Sequence, residues 1–289
     1  MLQCHKHTRG HASCFTVLYT EVGKIVDQGR PAEDRLSSVP PKPNAVAIEA
    51  QASIVKKFVL AKPNGYKYVA LVGMGGIGKT TLAMTLINDT DIKKEFPTRG
   101  FVTISEHPVI EKCQKNIWSA VVNSQNKEDF LNPEDGKWRL QSALEHKRVF
   151  LVLDDVWDEK HMDDLDVVSA DSLLLITSRN RHVGTCLGAQ CYDVEPLNDA
   201  QSMDLFCEHA FGDGKPSKWQ KEFVDDIVKE CSGVPLALVV MGRQVRTHSC
   251  KGDTAARPSF DEKESGSILW QYSRNMVLFM KQCLTKSFL

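Results

Sequence analysis

The sequence predicts a three-layer α/β domain with a mostly parallel five-stranded sheet, followed by a small all-α helical subdomain. Three observations lead to this fold class. Short apolar, β-rich runs alternate with helix-like segments through the middle of the chain. A glycine-rich loop joins the first of these runs to the helix that follows it. After about residue 196 the strand-like runs stop, and only helical periodicity remains.

The composition is that of an ordinary globular protein. The chain has 289 residues, with 36 Lys and Arg against 37 Asp and Glu. This balance gives no overall electrostatic reason to bind nucleic acid or a membrane surface, so we expect no nucleic-acid partner. The 9 cysteines are scattered and form no Cys-x-x-Cys pair, which favours a reducing, cytoplasmic location. The longest apolar run, Val234 to Met241, is too short for a transmembrane segment.

Residues 1–44 are left as an unassigned N-terminal segment that ends in a proline-rich, extended linker. Prolines occupy three of the four positions 40–43, and no sustained periodicity precedes them. The segment holds two cysteines and three histidines whose spacing matches no usual zinc-ligand pattern. Four of the five residues could in principle converge on a zinc ion, but we favour a disordered polar chain end; the residues concerned are Cys4, His5, His7, His11 and Cys14.

The α/β domain is predicted over residues 45–195. It begins with an amphipathic helix in which apolar residues recur from Ile48 to Val59. Further helices are predicted after Thr80, near Pro108, and at Asn132-Pro133, an N-cap followed by a first-turn proline. Because helices alternate with apolar strands, the sheet should be parallel and covered on both faces. The five predicted strands are Tyr68–Val72, Phe101–Ile104, Val149–Leu153, Leu173–Thr177 and Cys191–Val194.

The helical subdomain is predicted over residues 196–246. Asn198 and Gln201 have the spacing of a capping box. Ser217 is predicted to cap a second helix that ends at Gly233, and Pro235 should begin a third. Residues 247–289 are polar, carry no readable site and stay unassigned.

The strongest chemical signal is the segment Gly73–Thr81, GMGGIGKTT, which fills the pattern G-x-x-x-x-G-K-[ST]. Glycines allow successive backbone N–H groups to turn toward an anion at a helix N-terminus. Lys79 should contact the β- and γ-phosphates of a nucleotide, and the Thr80 hydroxyl should ligate Mg²⁺. The alternative is a glycine-rich turn that binds nothing. Four glycines in register with Gly-Lys-Thr-Thr disfavour it: Gly73, Gly75, Gly76 and Gly78.

Two carboxylates follow the apolar run Val149–Leu153. Asp154 and Asp155 stand at the carboxyl end of this strand, where ligands of α/β sheets collect. We predict that Asp154 holds Mg²⁺ and that Asp155 is a catalytic base or orients the attacking water. A helix cap would give a similar pattern, but the phosphate loop earlier in the chain favours a nucleotide site.

Arg179 follows the strand Leu173–Thr177, after Ser178. At the carboxyl edge of the same sheet it can reach the γ-phosphate and report its presence. A solvated surface arginine is the alternative.

In their order along the chain, these segments resemble the NB-ARC module of plant intracellular immune receptors, a branch of the STAND class of P-loop NTPases. The resemblance covers residues 44–246. It is carried by the phosphate loop, the second strand motif, the Asp-Asp strand, the sensor strand, the first subdomain helix and a Gly-Val-Pro-Leu motif. These are Gly73–Thr81, Phe101–Ser105, Leu151–Trp157, Ile176–Arg179, Leu197–Phe211 and Cys231–Leu238.

The resemblance implies further contacts with the nucleotide. Pro235 would pack against adenine, and Val46 would contact the same base from the segment Val46-Ala47-Ile48-Glu49. The family has glycine where this chain has Ala47. Nothing after Arg246 resembles the family's winged-helix subdomain or its Met-His-Asp triplet, so we expect a truncated receptor.

The function that the resemblance implies is an ADP/ATP-binding switch in plant defence, with Mg²⁺ as cofactor. At most it would be a slow Mg²⁺-dependent ATPase, and its partners would be nucleotide and other immune-receptor chains or signalling proteins. Two alternatives remain: a non-signalling truncated receptor or decoy that acts through partner contacts, and a P-loop ATPase with real turnover. Met74 stands where partitioning ATPases carry a signature lysine, and no arginine-rich kinase lid is visible.

Overall fold

In the computed structural model, five parallel strands form one sheet in the order β2-β3-β4-β1-β5. The structure describes residues 39–41, 48–61, 66–122, 129–212, 216 and 218–250, without the side chains of 218–223 and 247–250. All five predicted strands are confirmed. They are β1 (Tyr68–Val72), β2 (Thr98–Thr103), β3 (Val149–Asp154), β4 (Leu173–Ser178) and β5 (Gln190–Asp193).

Strand β2 begins three residues earlier than the sequence predicted, at Thr98. Gly100 lies inside the strand, a position where glycine usually argues against strand structure. Here it allows a close approach: a Cβ atom at this position would lie 2.6 Å from the Val121 side chain. The glycine therefore lets a helix pack directly on the sheet.

Ten helices and one 3₁₀ turn are present in the described ranges. The predicted helices after Thr80, near Pro108, at Pro133, at Asn198 and at Pro235 are confirmed. The helices are α1 (Ile48–Ala61), α2 (Lys79–Ile87), α3 (Thr90–Glu95), α4 (Ile110–Val121), α5 (Pro133–Leu144), α6 (Met162–Leu165), α7 (Arg181–Cys186), α8 (Asp199–Phe211), α9 (Lys218–Glu230) and α10 (Pro235–Cys250), and the 3₁₀ turn is Glu159–His161.

The predicted helix caps form where they can be checked. Asn132 accepts a hydrogen bond from the Asp135 N–H ahead of α5. Asn198 and Gln201 make both bonds of the capping box at the start of α8. Ser217, the predicted cap of α9, lies outside the described residues. Helices α3, α6 and α7 were not predicted, because segments of four to six residues are too short to show helical periodicity.

Each face of the sheet carries its own apolar core. Along β1, Val69 and Leu71 join one core, while Ala70 and Val72 join the other. This alternation, together with helices on both faces, gives the expected three-layer arrangement. The first core continues through Phe206 of α8 into α10, so the helices after residue 196 pack in continuity with the sheet.

The predicted unit boundaries at 44, 195 and 246 remain predictions; α10 itself runs through Cys250. Val46 and the N-terminal Cys/His segment lie outside the described residues. None of the described helices is long and apolar enough to span a bilayer. Among the described residues, five cysteines form no disulfide: Cys113, Cys186, Cys191, Cys207 and Cys231.

Candidate functional site

The glycine loop joins β1 to α2 and ends at the N-terminus of this helix. Gly76 and Gly78 have φ angles of 74° and 107°, in the left-handed region that glycine adopts without strain. Gly78 is the N-cap of α2 and, within the described residues, no side chain caps it. The first N–H groups of a helix have no partner within that helix. The loop and the start of α2, through Lys79, Thr80 and Thr81, therefore form an anion-binding geometry.

Lys79 is buried in this loop, with only 7% of its surface exposed. Its ammonium donates hydrogen bonds to the carbonyl oxygens of Gly73 (2.7 Å) and Met74 (2.9 Å). Burial, and then the nearby positive charge of Arg179, lower the pKa of Lys79 to about 8, although Asp155 and Asp154 act in the opposite direction. The loop thus holds a cation that a bound phosphate would stabilise.

The predicted metal-binding pair lies together. The Thr80 hydroxyl donates to the Asp154 carboxylate, at 2.9 Å from Oδ1 and 3.1 Å from Oδ2. Asp154 is 5% exposed, and burial, with a smaller contribution from the charge of Asp155, raises its pKa to about 6. Hydrogen bonds from Thr177 and Thr80 oppose this shift. Burial makes the charged form of this carboxylate unfavourable, and a bound cation would stabilise that charge. Asp154 is therefore suited to a cation site.

These oxygen donors match the preference of Mg²⁺ for hard ligands. Thr80 and Asp154 would hold the ion, and its charge would neutralise that of the phosphates. The residues present therefore fit the magnesium that the sequence predicts.

Thr177, at the end of β4, is a site residue that the sequence reasoning missed. Its hydroxyl donates to Asp154 Oδ1 at 2.7 Å and accepts from the Asp155 N–H at 2.8 Å. The pairing of Leu153 with Ile176 brings these residues side by side at the sheet edge. The available signal was the threonine at the end of the predicted strand Leu173–Thr177, whose other residues are aliphatic. One hydroxyl orients both halves of the Asp-Asp pair.

Asp155 and Arg179 contact each other beside the loop. Arg179 Nε lies 3.6 Å from Asp155 Oδ1, and the guanidinium stacks over the Trp157 ring at 4.9 Å. Asp155 has a φ of 61°, in the left-handed region that only a few non-glycine residues visit. This backbone turn at the end of β3 sends Asp154 and Asp155 to different partners.

Helix α10 reaches the same loop. The Leu236 N–H donates to the Gly76 carbonyl at 3.2 Å, and a Cβ at Gly76 would lie 2.7 Å from the Leu236 Cβ. Gly233, with a φ of 72°, fixes the turn before α10, and its carbonyl accepts from the Leu197 N–H at 2.9 Å. Pro235 therefore begins a helix whose N-terminus touches the phosphate loop. The Leu236 contact was not predicted.

The structure thus brings most of the predicted site residues to one edge of the sheet. Gly73–Thr81, Asp154, Asp155 and Arg179 are grouped there, with the start of α10 next to Gly76. Val46 is the one predicted site residue that falls outside the described ranges.

The NB-ARC domain family model matches residues 49–215 of the chain. Among curated relatives, the TMV resistance protein N of Nicotiana glutinosa is 31% identical over 211 residues, which are 69% of this chain and 18% of that protein. The ToMV resistance protein Tm-2(2) of Solanum lycopersicum is 31% identical over 215 residues, or 70% of this chain and 24% of that protein. The chain spans about a quarter or less of the length of these relatives.

Solved structures give the same fold at low identity. The ORC2 protein of Aeropyrum pernix, solved as ADPNP–ADP complexes, aligns with a TM-score of 0.52 and 16% identity, covering 84% of this chain and 71% of that one. Cdc6p of Pyrobaculum aerophilum aligns with a TM-score of 0.50 and 17% identity, covering 75% and 67%. The predicted P-loop NTPase fold is confirmed.

Proposed function

Since the chain belongs to the NB-ARC family, we propose that it is the ADP/ATP-binding switch module of a plant intracellular immune receptor. It binds ADP or ATP with Mg²⁺ and hydrolyses ATP slowly or not at all. The matched relatives are named as a ToMV resistance protein and a TMV resistance protein, and these names support a role in plant defence. The proposal implies a cytoplasmic location and partners among other receptor chains or signalling proteins.

The observation that carries the proposal is the contact between Thr80 and Asp154 at 2.9 Å. It joins the start of α2 to the end of β3 and places a hydroxyl, a carboxylate and the Lys79 ammonium around one loop. Burial of Lys79 and Asp154 disfavours the charged form of each. The arrangement therefore contributes little to the stability of the protein without nucleotide. A phosphate would place a negative charge beside Lys79, and its magnesium ion a positive charge beside Asp154, in addition to the hydrogen bonds that both side chains already make.

Each predicted residue has a role in this proposal. The N–H groups of the loop and Lys79 bind the phosphates, while Thr80 and Asp154 hold the ion. Asp155 orients water at the γ-phosphate. Pro235 and Val46 contact the adenine, as the family resemblance implies.

The ion pair between Arg179 and Asp155 supports slow hydrolysis. In this contact the Asp155 carboxylate faces the Arg179 guanidinium, so it must leave this partner before it can orient a water molecule. A γ-phosphate offers Arg179 a stronger partner than Asp155 does, since it carries more charge. Binding of ATP, but not of ADP, would therefore replace the contact between Arg179 and Asp155 with a contact between Arg179 and the γ-phosphate.

The contact between Leu236 and Gly76 supports the switch. It links the phosphate loop to α10, and α10 packs on α8. A nucleotide that moves the loop backbone changes a contact of the helical part of the chain. Such a difference between liganded states is what a switch requires.

The first test is the nucleotide released from freshly purified protein after denaturation. Retained ADP agrees with a switch. An empty protein that fails to bind added ADP would contradict the proposal and favour the decoy, and rapid multiple turnover of ATP would favour an ATPase.

A substitution in α2 tests the magnesium role with a matched control. Thr80→Val removes the hydroxyl with little change in shape, so the gain in nucleotide affinity on adding Mg²⁺ should shrink. Thr85→Val removes another hydroxyl of the same helix, one that bonds only to the Thr81 carbonyl among the described contacts. Calorimetry with and without Mg²⁺ should show the loss in the first variant and not in the second.

A further inference from the structure

A cluster of metal-ligating side chains lies on the segments that follow β3 and β4. It consists of Glu159 in the 3₁₀ turn and of His182 and Cys186 in α7. One ligand atom from each lies within 4.8 Å of the others, and Cys186 Sγ is 3.2 Å from His182 Nε2. None of these residues belongs to the nucleotide site described above.

The local structure holds the three side chains together. His182 and Cys186 are four residues apart in α7, so they lie on the same face of the helix. The Asn180 side chain accepts from the His182 N–H and fixes the start of this helix. Asp158 caps the 3₁₀ turn in the same way through the Lys160 N–H, and the turn packs against α7.

The donor set selects the class of metal. A thiolate and an imidazole suit zinc and other late transition metals, whereas Mg²⁺ and Ca²⁺ prefer sites made of oxygen alone. Zinc bonds of 2.0–2.3 Å in a tetrahedron place ligand atoms about 3.3–3.8 Å apart. The three ligand atoms lie within 4.8 Å of one another, so each pair would need to approach by at most about 1.5 Å to reach this geometry.

We propose that Glu159, His182 and Cys186 form a zinc site whose fourth position is open to water. His182 and Cys186 are exposed, so the ion exchanges with solution rather than being sealed in the fold. It ties the segment after β3, which carries Asp155, to the segment after β4, which carries Arg179. The site does not depend on the proposed nucleotide function.

Cobalt is the probe for this site, because a thiolate ligand gives bound Co²⁺ a charge-transfer band in the near ultraviolet. The full chain is used with Cys4→Ser and Cys14→Ser in every sample, so that the N-terminal Cys/His segment contributes no thiolate. We expect one Co²⁺ per chain, with a charge-transfer band that Zn²⁺ removes and excess Mg²⁺ does not.

Three variants and one control assign the ligands. Cys186→Ser should abolish the band, and His182→Ala and Glu159→Gln should each weaken Co²⁺ binding at least about tenfold, since loss of an outer-shell partner alone weakens binding about 10–100-fold. Cys207→Ser removes a thiol in α8, next to Met203, and should leave the band unchanged. Circular dichroism confirms that each variant is folded; the substituted cysteine and histidine are exposed, so we expect them to be.

If the parent protein binds Co²⁺, two results would overturn the proposal. One is a charge-transfer band that persists in Cys186→Ser. The other is a band that appears only with two chains per ion, seen as a dimer by light scattering, because the site proposed here lies within one chain. Absence of Co²⁺ binding in the folded parent protein would overturn it as well.

Discussion

The two ends of strand β1 differ in how their charged side chains are paired and exposed. At the amino end, Lys67 Nζ lies 2.6 Å from the Asp166 carboxylate, and the Tyr68 hydroxyl donates to the same carboxylate. Burial and this hydrogen bond raise the pKa of Tyr68, which keeps the phenol protonated as a donor. The Lys67 and Asp166 side chains are 27% and 20% exposed, so water also solvates them.

At the carboxyl end, Lys79 and Asp154 are almost completely buried. The pKa of Lys79 is lowered and that of Asp154 is raised, so the neutral form of each is favoured. Here Lys79 and Asp154 both lie beside the phosphate loop, but they do not form a direct ion pair of the kind that Lys67 and Asp166 form. The comparison indicates that one end of the strand is built for stability of the free protein, while the other is held ready for a charged ligand at some expense to that stability.

The largest expected effect is at Lys79. Lys79→Ala should weaken ADP binding by about 10–150-fold, the value of a charged hydrogen bond of about 1.5–3 kcal/mol. Thermal unfolding of the free variant should not occur at a lower temperature, because a buried charge has been removed. Calorimetry and thermal melts measure the two quantities.

The matched control for this experiment is at the other end of β1. Lys67→Ala breaks the pair with Asp166 and should lower the free energy of unfolding by less than about 1 kcal/mol, leaving ADP affinity unchanged. An equal loss of ADP affinity in both variants would contradict the division between the two ends.

Asp154→Asn should raise the stability of the free protein by about 1–3 kcal/mol and abolish the Mg²⁺ dependence of ATP binding. The folded pKa of about 6 lies above the unfolded value of 3.8. The wild-type free energy of unfolding should therefore decrease as the pH rises from about 4 to about 6. Urea unfolding across this range measures the slope, which should be smaller in the variant.

At the amino end of β1, Asp166→Asn should have the reverse effect on stability. It removes the charge that Lys67 and Tyr68 contact, so the free variant should be less stable than the wild type. If Asp154→Asn destabilises the protein as much as Asp166→Asn does, the buried charge of Asp154 does not lower the stability of the free protein, and the comparison between the two ends is wrong.

The affinity for ADP should fall above about pH 8, because Lys79 loses its proton there before the nucleotide binds. The steepest decrease should approach tenfold per pH unit, as expected for uptake of one proton on binding. Fluorescence titration with a labelled ADP from pH 7 to about pH 9.5 measures it. Lys79→Ala serves as the control, and a pH dependence of equal slope in that variant would assign the effect to another group.

The smallest expected effect is at Arg179. Arg179→Ala should weaken ATP binding about three- to tenfold more than ADP binding, because only ATP has the γ-phosphate that Arg179 would contact. Arg181, two residues later, pairs with Asp193 at the surface, so Arg181→Ala should change neither affinity. Equal losses of ATP and ADP affinity in Arg179→Ala would make this arginine a structural partner of Trp157 and Asp155.

Sequence patterns predicted the parts of the site that lie within single segments. The phosphate loop, the Asp-Asp pair and the start of α10 each follow from local residue order, so they were found with nearly correct bounds. Thr177 and Leu236 were missed because their roles depend on which segments become neighbours. The sequence predicted five strands but not their order, and only the adjacency of β3 and β4 places Thr177 against Asp154.

The left-handed backbone at Asp155 has a consequence for how this protein can vary over evolutionary time. Asparagine and glycine adopt this conformation readily, whereas other residues lose about 1–2 kcal/mol and β-branched ones fit it worst. The substitutions best tolerated by the fold are thus the ones that delete the carboxylate proposed to orient water. A lineage can therefore lose the proposed water-orienting carboxylate while keeping the fold, but it cannot as easily exchange the aspartate for a different functional side chain.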